Sequence, residues 1–576
     1  MEQGDWQWWL LLLVGIQLAS AQCPEQCQCV RSGQVECSGA NITTVPIPIP
    51  ENAMTLQIIN TRITKLGDAS FSNASLLIGL RIEKNNLSHI SPGAFQHLPD
   101  LRYLSLASNK LQELPVQVFE PLDKLESLLL SSNQILQVEP SHFTHLSNLK
   151  ELQLHGNNLQ ELQEGVFDQL TSLTKLNLAR NNIDCLPPRA FERLARLQVL
   201  RLYENRLRQI PAGTFDGLPE LQELGLHQNQ LETLSPELFV HNSNLQKLYL
   251  SNNLLTTLPS GIFLPLHSLA KITLHVNRLR DISPSAFGPM PNLRELWLYE
   301  NELSSLPTAV FSNLTQLQLL VLSKNRLRSV APGAFQGLGE LLELSLHSNA
   351  LRRLDARMLE GLPKLQNISL HHNQLQALPR GLFRATPGLQ HLQLHFNGLE
   401  YLPAGIFSPL TTLREVRLHN NSWCCDKGIL PLQGWLVDNP HKVGETPPLC
   451  AQPPALLGTP IAELPRDQFL TTHSPTASPH PSTQLPAHSS EAASPEGAWM
   501  EPPAGLPISP WVEEEREKEE EERGQFGLTR IQSGVVVAVI VLVCVALLAA
   551  LVALVVYGCR KKSHVVLMRM KAPNEA

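Results

Sequence analysis

No glycine-rich phosphate loop, nucleophile motif or HExxH helix occurs in the 576 residues. Phosphoryl transfer, acyl-enzyme chemistry and zinc-dependent hydrolysis therefore have no motif to rest on. A basic excess is also missing: 45 Lys and Arg stand against 52 Asp and Glu, for a formal net charge of −7. That balance argues against nucleic acid as partner. Long apolar runs are confined to the two ends of the chain. Between them, the main thing lacking is irregularity, for no residue is inserted or deleted in a pattern that returns every 24 residues.

An Asn occupies every 24th position from Asn85 to Asn421. Around each one the chain spells LxxLxLxxNxL, as in Leu101 to Leu111 and Leu293 to Leu303, the pattern of leucine-rich repeats. The LxLx stretch alternates apolar and polar, the mark of a half-buried strand. The Asn amide can both donate and accept, so stacked Asn side chains can satisfy the turn backbone of neighbouring units. Ten residues further on comes Phe, from Phe71 to Phe407, with Leu359 the exception; these should form an aromatic spine on the convex side. Pro often follows the last Leu of the turn, as at Leu114-Pro115 and Leu402-Pro403, where it pre-sets the returning backbone. One unit cannot close a core, but a stack can. The fold class is thus an α/β-type repeat solenoid, a horseshoe with a parallel concave β-sheet. With Thr61 as a degenerate first ladder position there are 16 strands, and ~4.8 Å per strand makes the sheet arc roughly 75 Å long. Such a scaffold points to binding rather than catalysis.

The chain divides into a signal peptide (1–21), an N-terminal cysteine cap (22–52), repeats (53–420), a C-terminal cysteine cap (421–458), a stalk (459–533), a transmembrane helix (534–557) and a tail (558–576). The signal reading rests on the apolar core Trp8 to Leu18 and the small residues Ala19-Ser20-Ala21, although Glu2 and Asp5 are atypical of such a head. Gly534 to Tyr557 carries no charge and is long enough to span a bilayer. Arg560, Lys561 and Lys562 follow it, which places that side in the cytoplasm and the repeats outside, at the plasma membrane. Residues 459–510 are rich in Pro, Ser and Thr, as a disordered stalk would be. The acidic run Glu513 to Arg523 reads as a solvated segment. Cys559 stands where an inner-leaflet thiol could be palmitoylated.

Positions six, four and two residues before each ladder Asn should point out of the concave sheet. Among them Tyr249, Trp297 and Val321, flanked by Tyr299, Leu319, Arg201 and Tyr203, look like an interface surface. The competing reading is cross-strand packing that stiffens the sheet. Thr273 lies in the same row. The minus-two position holds His155, His227, His275, His347, His371, His395 and His419, the last four consecutive, with His372 and His391 nearby. Neighbouring imidazoles could share a metal or titrate near pH 6, but no ligand spacing of a metal site accompanies them. They are read as tolerated exposed residues, with no metal and no cofactor. Glycosylation sequons fall at Asn41, Asn73, Asn86, Asn313, Asn367 and Asn420. Asn367 is a minus-six residue among the histidines, whereas no sequon falls on the concave positions between Tyr103 and His347. That favours the aromatic middle as the ligand surface.

The strings LRYLSLASNKLQ, LKELQLHGNNL, LQVLRLYENRL and NLRELWLYEN, with VLMRMKAPNEA near the end, resemble type I, adhesion-type leucine-rich repeat receptors related to platelet glycoprotein V. The stalk and its acidic run look unlike that family. The resemblance implies that Cys23 pairs with Cys29 and Cys27 with Cys37 in the N-terminal cap. The stretch NSWCCDK departs from the family's NPWxCDC, with Lys427 in place of a Cys. One bridge is therefore expected, Cys425 with Cys450, with Cys424 as an alternative partner. Cys185 and Cys424 then remain, ten repeats or roughly 48 Å apart, far beyond the ~7 Å that a bridge tolerates; a buried or capped thiol is expected for them over an intermolecular bridge. The resemblance further implies binding of collagen, fibronectin or laminin and an influence on cell-matrix adhesion and migration, without enzymatic activity. The alternative is a cell-cell adhesion organiser or innate-immune co-receptor.

Overall fold

The computed structural model describes residues 23–465 apart from 31–32 and 284–285. The described residues all lie within the first of two units, Met1–Pro475. The signal segment, residues 466–533 of the stalk, the stretch 534–557, Cys559 and the tail lie outside the described residues. Residues 459–464, expected to belong to the stalk, instead fold onto the C-terminal cap: Ile461 and Leu464 are buried and Ile461 N donates to Pro448 O at 3.1 Å. Among the described ones, no helix is long and apolar enough to cross a membrane.

An 18-stranded sheet runs through the first unit. Strand β1 (Cys27–Val30) pairs antiparallel with β2 (Gln34–Ser38), and β2 pairs parallel with β3 (Thr55–Ile59). From β3 onward the strands are parallel and each partners the residue 24 positions on, Tyr103 with Ser127 and Trp297 with Val321 for example. The two cap strands and one strand for each of the 16 units make up the sheet. Register cannot slip here, since a one-residue shift would turn every core Leu to solvent.

The Asn ladder is the main polar device inside the stack. Asn109 Nδ2 donates to Ile82 O at 2.7 Å and Leu106 O at 2.9 Å, while its Oδ1 accepts from Leu87 N at 3.2 Å. The pattern repeats down the chain, at Asn229 toward Leu202 O, Leu226 O and Leu207 N. Each Asn therefore fastens both the strand end and the turn of the unit before it. At the start, Thr61 donates to Asn85 Oδ1 through its N–H and its hydroxyl. The residue just before each ladder position turns the chain in the left-handed region, with φ between 50° and 58° for the non-glycine cases from Asn60 to Asn420.

Behind the sheet the Phe residues form the expected column: Phe191, Phe215 and Phe239 stack at 6.4 and 6.3 Å with rings within 11° of parallel. Each ring is fully buried and contributes roughly 2–3 kcal/mol of apolar transfer energy.

Both ends of this core are closed. The N-terminal cap is joined by Cys23–Cys29 and Cys27–Cys37. At the other end Cys425 joins Cys450. The helix Leu430–Asp438 brings Trp435 to 4.6 Å from Phe407, over the last ring of the spine. Trp423 is fully buried, and its indole N–H donates to Leu418 O at 3.0 Å. In the ladder's spacing that carbonyl is where the next Asn would bond, so the indole replaces the missing unit. Of the remaining thiols, Cys185 is exposed rather than buried, and Cys424 is half-buried beside Asp426. Cys185 and Asp184 lie exposed between the buried Ile183 and Leu186, which take the inward places of that turn.

Candidate binding surface

The sheet face away from the core carries the side chains two, four and six residues before each Asn. Six acidic residues there, from Glu83 to Glu415, balance three Arg and three Lys. Several are paired along or across strands: Arg81 with Glu83 at 2.9 Å, Arg201 with Glu223 at 3.0 Å and Lys271 with Glu295 at 3.1 Å. The face is thus electrostatically quiet, and its character is set by aromatic rings.

Those rings form two groups. In the first, Tyr203 stacks on His227 at 4.4 Å, and His227 meets the Tyr249 ring edge-on at 5.8 Å. Gly225 makes room for this, because a Cβ there would lie 3.3 Å from the Tyr203 ring. The isolated strand glycine was the available sequence signal for that close approach. In the second group His275 stacks on Tyr299 at 4.4 Å, with Trp297 at 6.2 Å from Tyr299. The Lys271 ammonium lies 5.4 Å from the Trp297 ring centre, and the indole N–H donates to Glu295 Oε2 at 3.3 Å.

The structure corrects the expected exposure of this row. Trp297 is only 5% exposed and Val321 1%, with Thr273 equally covered. Trp297 packs against Tyr299 on its own strand and His275 on the next, at 6.2 and 6.3 Å, and Thr273 and Val321 are its direct cross-strand partners, so large neighbours one strand away cover this row. Tyr203, Tyr249, Tyr299, Leu319 and Arg201 remain half-exposed. They form the accessible part, with Trp297 and Val321 as the floor beneath.

The histidines of the minus-two row are buried or half-buried rather than exposed. His347, His371, His395 and His419 form one stack with ring centres 4.4, 4.5 and 4.6 Å apart. Rings stacked face to face do not converge their nitrogens on a common point. Burial pushes His347 down to about 4, His371 to about 2 and His395 to about 3, helped by the neighbouring imidazoles and cations. His155 is likewise held at about 4 by burial. His419, at the open end, is lowered for the same first reason. The column is therefore neutral at physiological pH. His372 stacks on Phe396 at 4.3 Å beside it.

At this end the cap segment joins the sheet through a parallel bridge from Val416 to Val443. It walls a hollow lined by His391, Arg414, Glu415, Arg417, His419 and Glu445. Two guanidinium groups and two carboxylates make that hollow amphoteric. Of the sequon asparagines, Asn41, Asn73, Asn86, Asn313 and Asn420 are exposed. Asn367 is half-buried on the sheet, its Oδ1 2.8 Å from His391 Nδ1.

Comparison with known proteins agrees with this architecture. Human leucine-rich repeat-containing protein 15 is 58% identical over 85 residues, 14% of this chain and 15% of that protein. Human reticulon-4 receptor-like 2 is 37% identical over 120 residues, 20% of this chain and 28% of that protein. The aligned stretches thus span less than a third of either relative. Among solved structures, the Toll–Spätzle complex of Drosophila matches with a TM-score of 0.62 at 23% identity, over 78% of this chain and 73% of that one. A Leptospira interrogans leucine-rich repeat protein matches with a TM-score of 0.52 at 29% identity, over 63% and 90%. The family model described as leucine-rich repeat region matches residues 55–397, more than half of the sequence, and these are the residues that carry the ladder and the spine: the chain belongs to the leucine-rich repeat family.

Proposed function

We propose that the chain is a cell-surface adhesion-type receptor that binds extracellular-matrix proteins, of the collagen, fibronectin and laminin class, through the concave face, and so modulates cell-matrix adhesion and migration. The carrying observation is the row of half-exposed rings Tyr203, Tyr249 and Tyr299, with Arg201 and Leu319, fixed on a rigid, nearly neutral sheet. Such a surface suits a protein partner, because partly buried Tyr and Arg anchors over an apolar floor concentrate binding energy. The absence of sequons from this stretch of the face keeps it open to a large partner. Trp297 and Val321 support the rings from below and act in binding by holding them in place. Membrane attachment through 534–557, with the repeats outside, belongs to the same reading.

The test displays the intact chain on cells and measures adhesion to collagen, fibronectin and laminin beside a panel of cell-surface proteins. Tyr249→Ala with Tyr299→Ala should weaken matrix binding at least about tenfold with unchanged surface expression. Undiminished binding by that variant removes the concave face from the account. A hit confined to the cell-surface panel moves the function to cell-cell organisation or co-receptor activity.

A further inference from the structure

The quiet concave face contrasts with one flank of the solenoid. The segments that follow the ladder Asn stack in register, through Arg326 N to Leu303 O at 3.0 Å and Arg328 N to Ser304 O at 2.9 Å, and in the pairing of Ser305–Leu306 with Ser329–Val330. Side chains one and three residues after each Asn therefore stand in two adjacent columns. Over four consecutive units those columns hold Arg278, Arg280, Arg326, Arg328 and Arg352, with Arg353 next to them. All six are exposed. Within 278–281, 300–304, 324–328 and 350–357, eight basic residues meet four acidic ones, a local excess of four in a chain whose net charge is −7.

The acidic residues do not quench the flank. Glu302 is shared between Arg280 at 3.4 Å and Arg326 at 3.0 Å, whose side chains stay 74% and 69% exposed. Arg352 donates to Gln374 Oε1 at 3.1 Å. Arg278, Arg328 and Arg353 have no acidic partner among the described residues. No sequon falls in these four segments.

From this flank we infer a second binding site, for a linear sulfated polysaccharide of the glycosaminoglycan class. Guanidinium forks match the paired oxygens of sulfate better than ammonium groups do, and seven of the eight basic residues here are Arg. The columns advance by ~4.8 Å per unit, so the cations form a rigid band about 15 Å long that an extended polyanion can follow. A compact acidic ligand would meet only part of it. The site goes beyond the concave-face reading, and its ligand is a polysaccharide rather than a protein.

The experiment uses the full chain in detergent or nanodiscs on immobilised heparin, with fully desulfated heparin and poly-glutamate as parallel matrices. Retention on heparin to a higher salt concentration than on either control is expected. The variant Arg278→Gln, Arg328→Gln, Arg353→Gln should bind heparin at least about tenfold more weakly, with a salt dependence shallower by about two to three counterions. Arg193→Gln, Arg196→Gln, Arg384→Gln removes the same charge elsewhere and should behave like wild type. Retention no stronger than on the controls, or equal loss in both triple variants, overturns the proposal. Matrix-protein binding is measured on the same preparations: its loss in the Tyr249/Tyr299 variant, with heparin retention intact, separates the two sites.

Discussion

At the residue scale, Val276 is held in the left-handed region at φ 52°, where a β-branched side chain crowds its own backbone. Asn occupies the equivalent place at 60, 252 and 420 and tolerates that conformation through local hydrogen bonding. Val276→Asn should therefore stabilise the fold by about 1 kcal/mol, seen as a higher urea midpoint; a lower or unchanged midpoint means the strain is relaxed elsewhere. The His column gives a pH prediction of definite sign. An unfolded imidazole titrates near 6.5, while His347, His371 and His395 stay neutral to about 4, 2 and 3. The unfolded chain then binds more protons below pH 6.5, so stability contributed by the neutral column is complete above that pH and is lost as pH falls toward 4. Thermal melts should show this loss, and His371→Gln should flatten it. An equally steep decline in that variant would assign the effect to other groups.

At the scale of the repeat unit, what holds one turn to the next is the Asn side chain. Removing Asn229 leaves Leu202 O, Leu226 O and Leu207 N without its three bonds. Asn229→Ala should cost about 3 kcal/mol or more, with amide exchange at Leu207 rising first. The ladder, the strands and the Phe column could all be read in the amino-acid order, because an uninterrupted period ties each side chain to a fixed depth. The covering of Trp297 and Val321 could not. It depends on which rings lie one strand to either side, and the alternation that aims a residue outward says nothing about what then roofs it. The His column was misjudged for the same reason: four rings recurring at the spacing of the ladder were visible, but their stacking removes the water that would set an ordinary pKa. Trp423 standing in for the next Asn was hidden too, since it lies on the cap segment, outside the repeat frame.

At the scale of the molecule, identical register at every junction makes the array nearly additive in its units. Deleting residues 182–205, one full period, should leave a cooperatively folding chain with a shorter sheet and an unfolding m-value reduced in proportion to the lost surface. Deleting half that length should abolish cooperative unfolding, because the spine would meet the sheet at the new junction. Circular dichroism melts of the two deletions decide between additive stacking and a fold that depends on its total length.

The ladder also has a direction. Every Asn closes the unit ahead of it, and the last closure falls to Trp423 from the cap. During synthesis a repeat that has left the ribosome thus remains unlatched until a side chain from the following repeat appears. The nascent chain carries a single unfinished turn at its growing end from Asn85 onward, and that open turn is sealed only when the cap emerges.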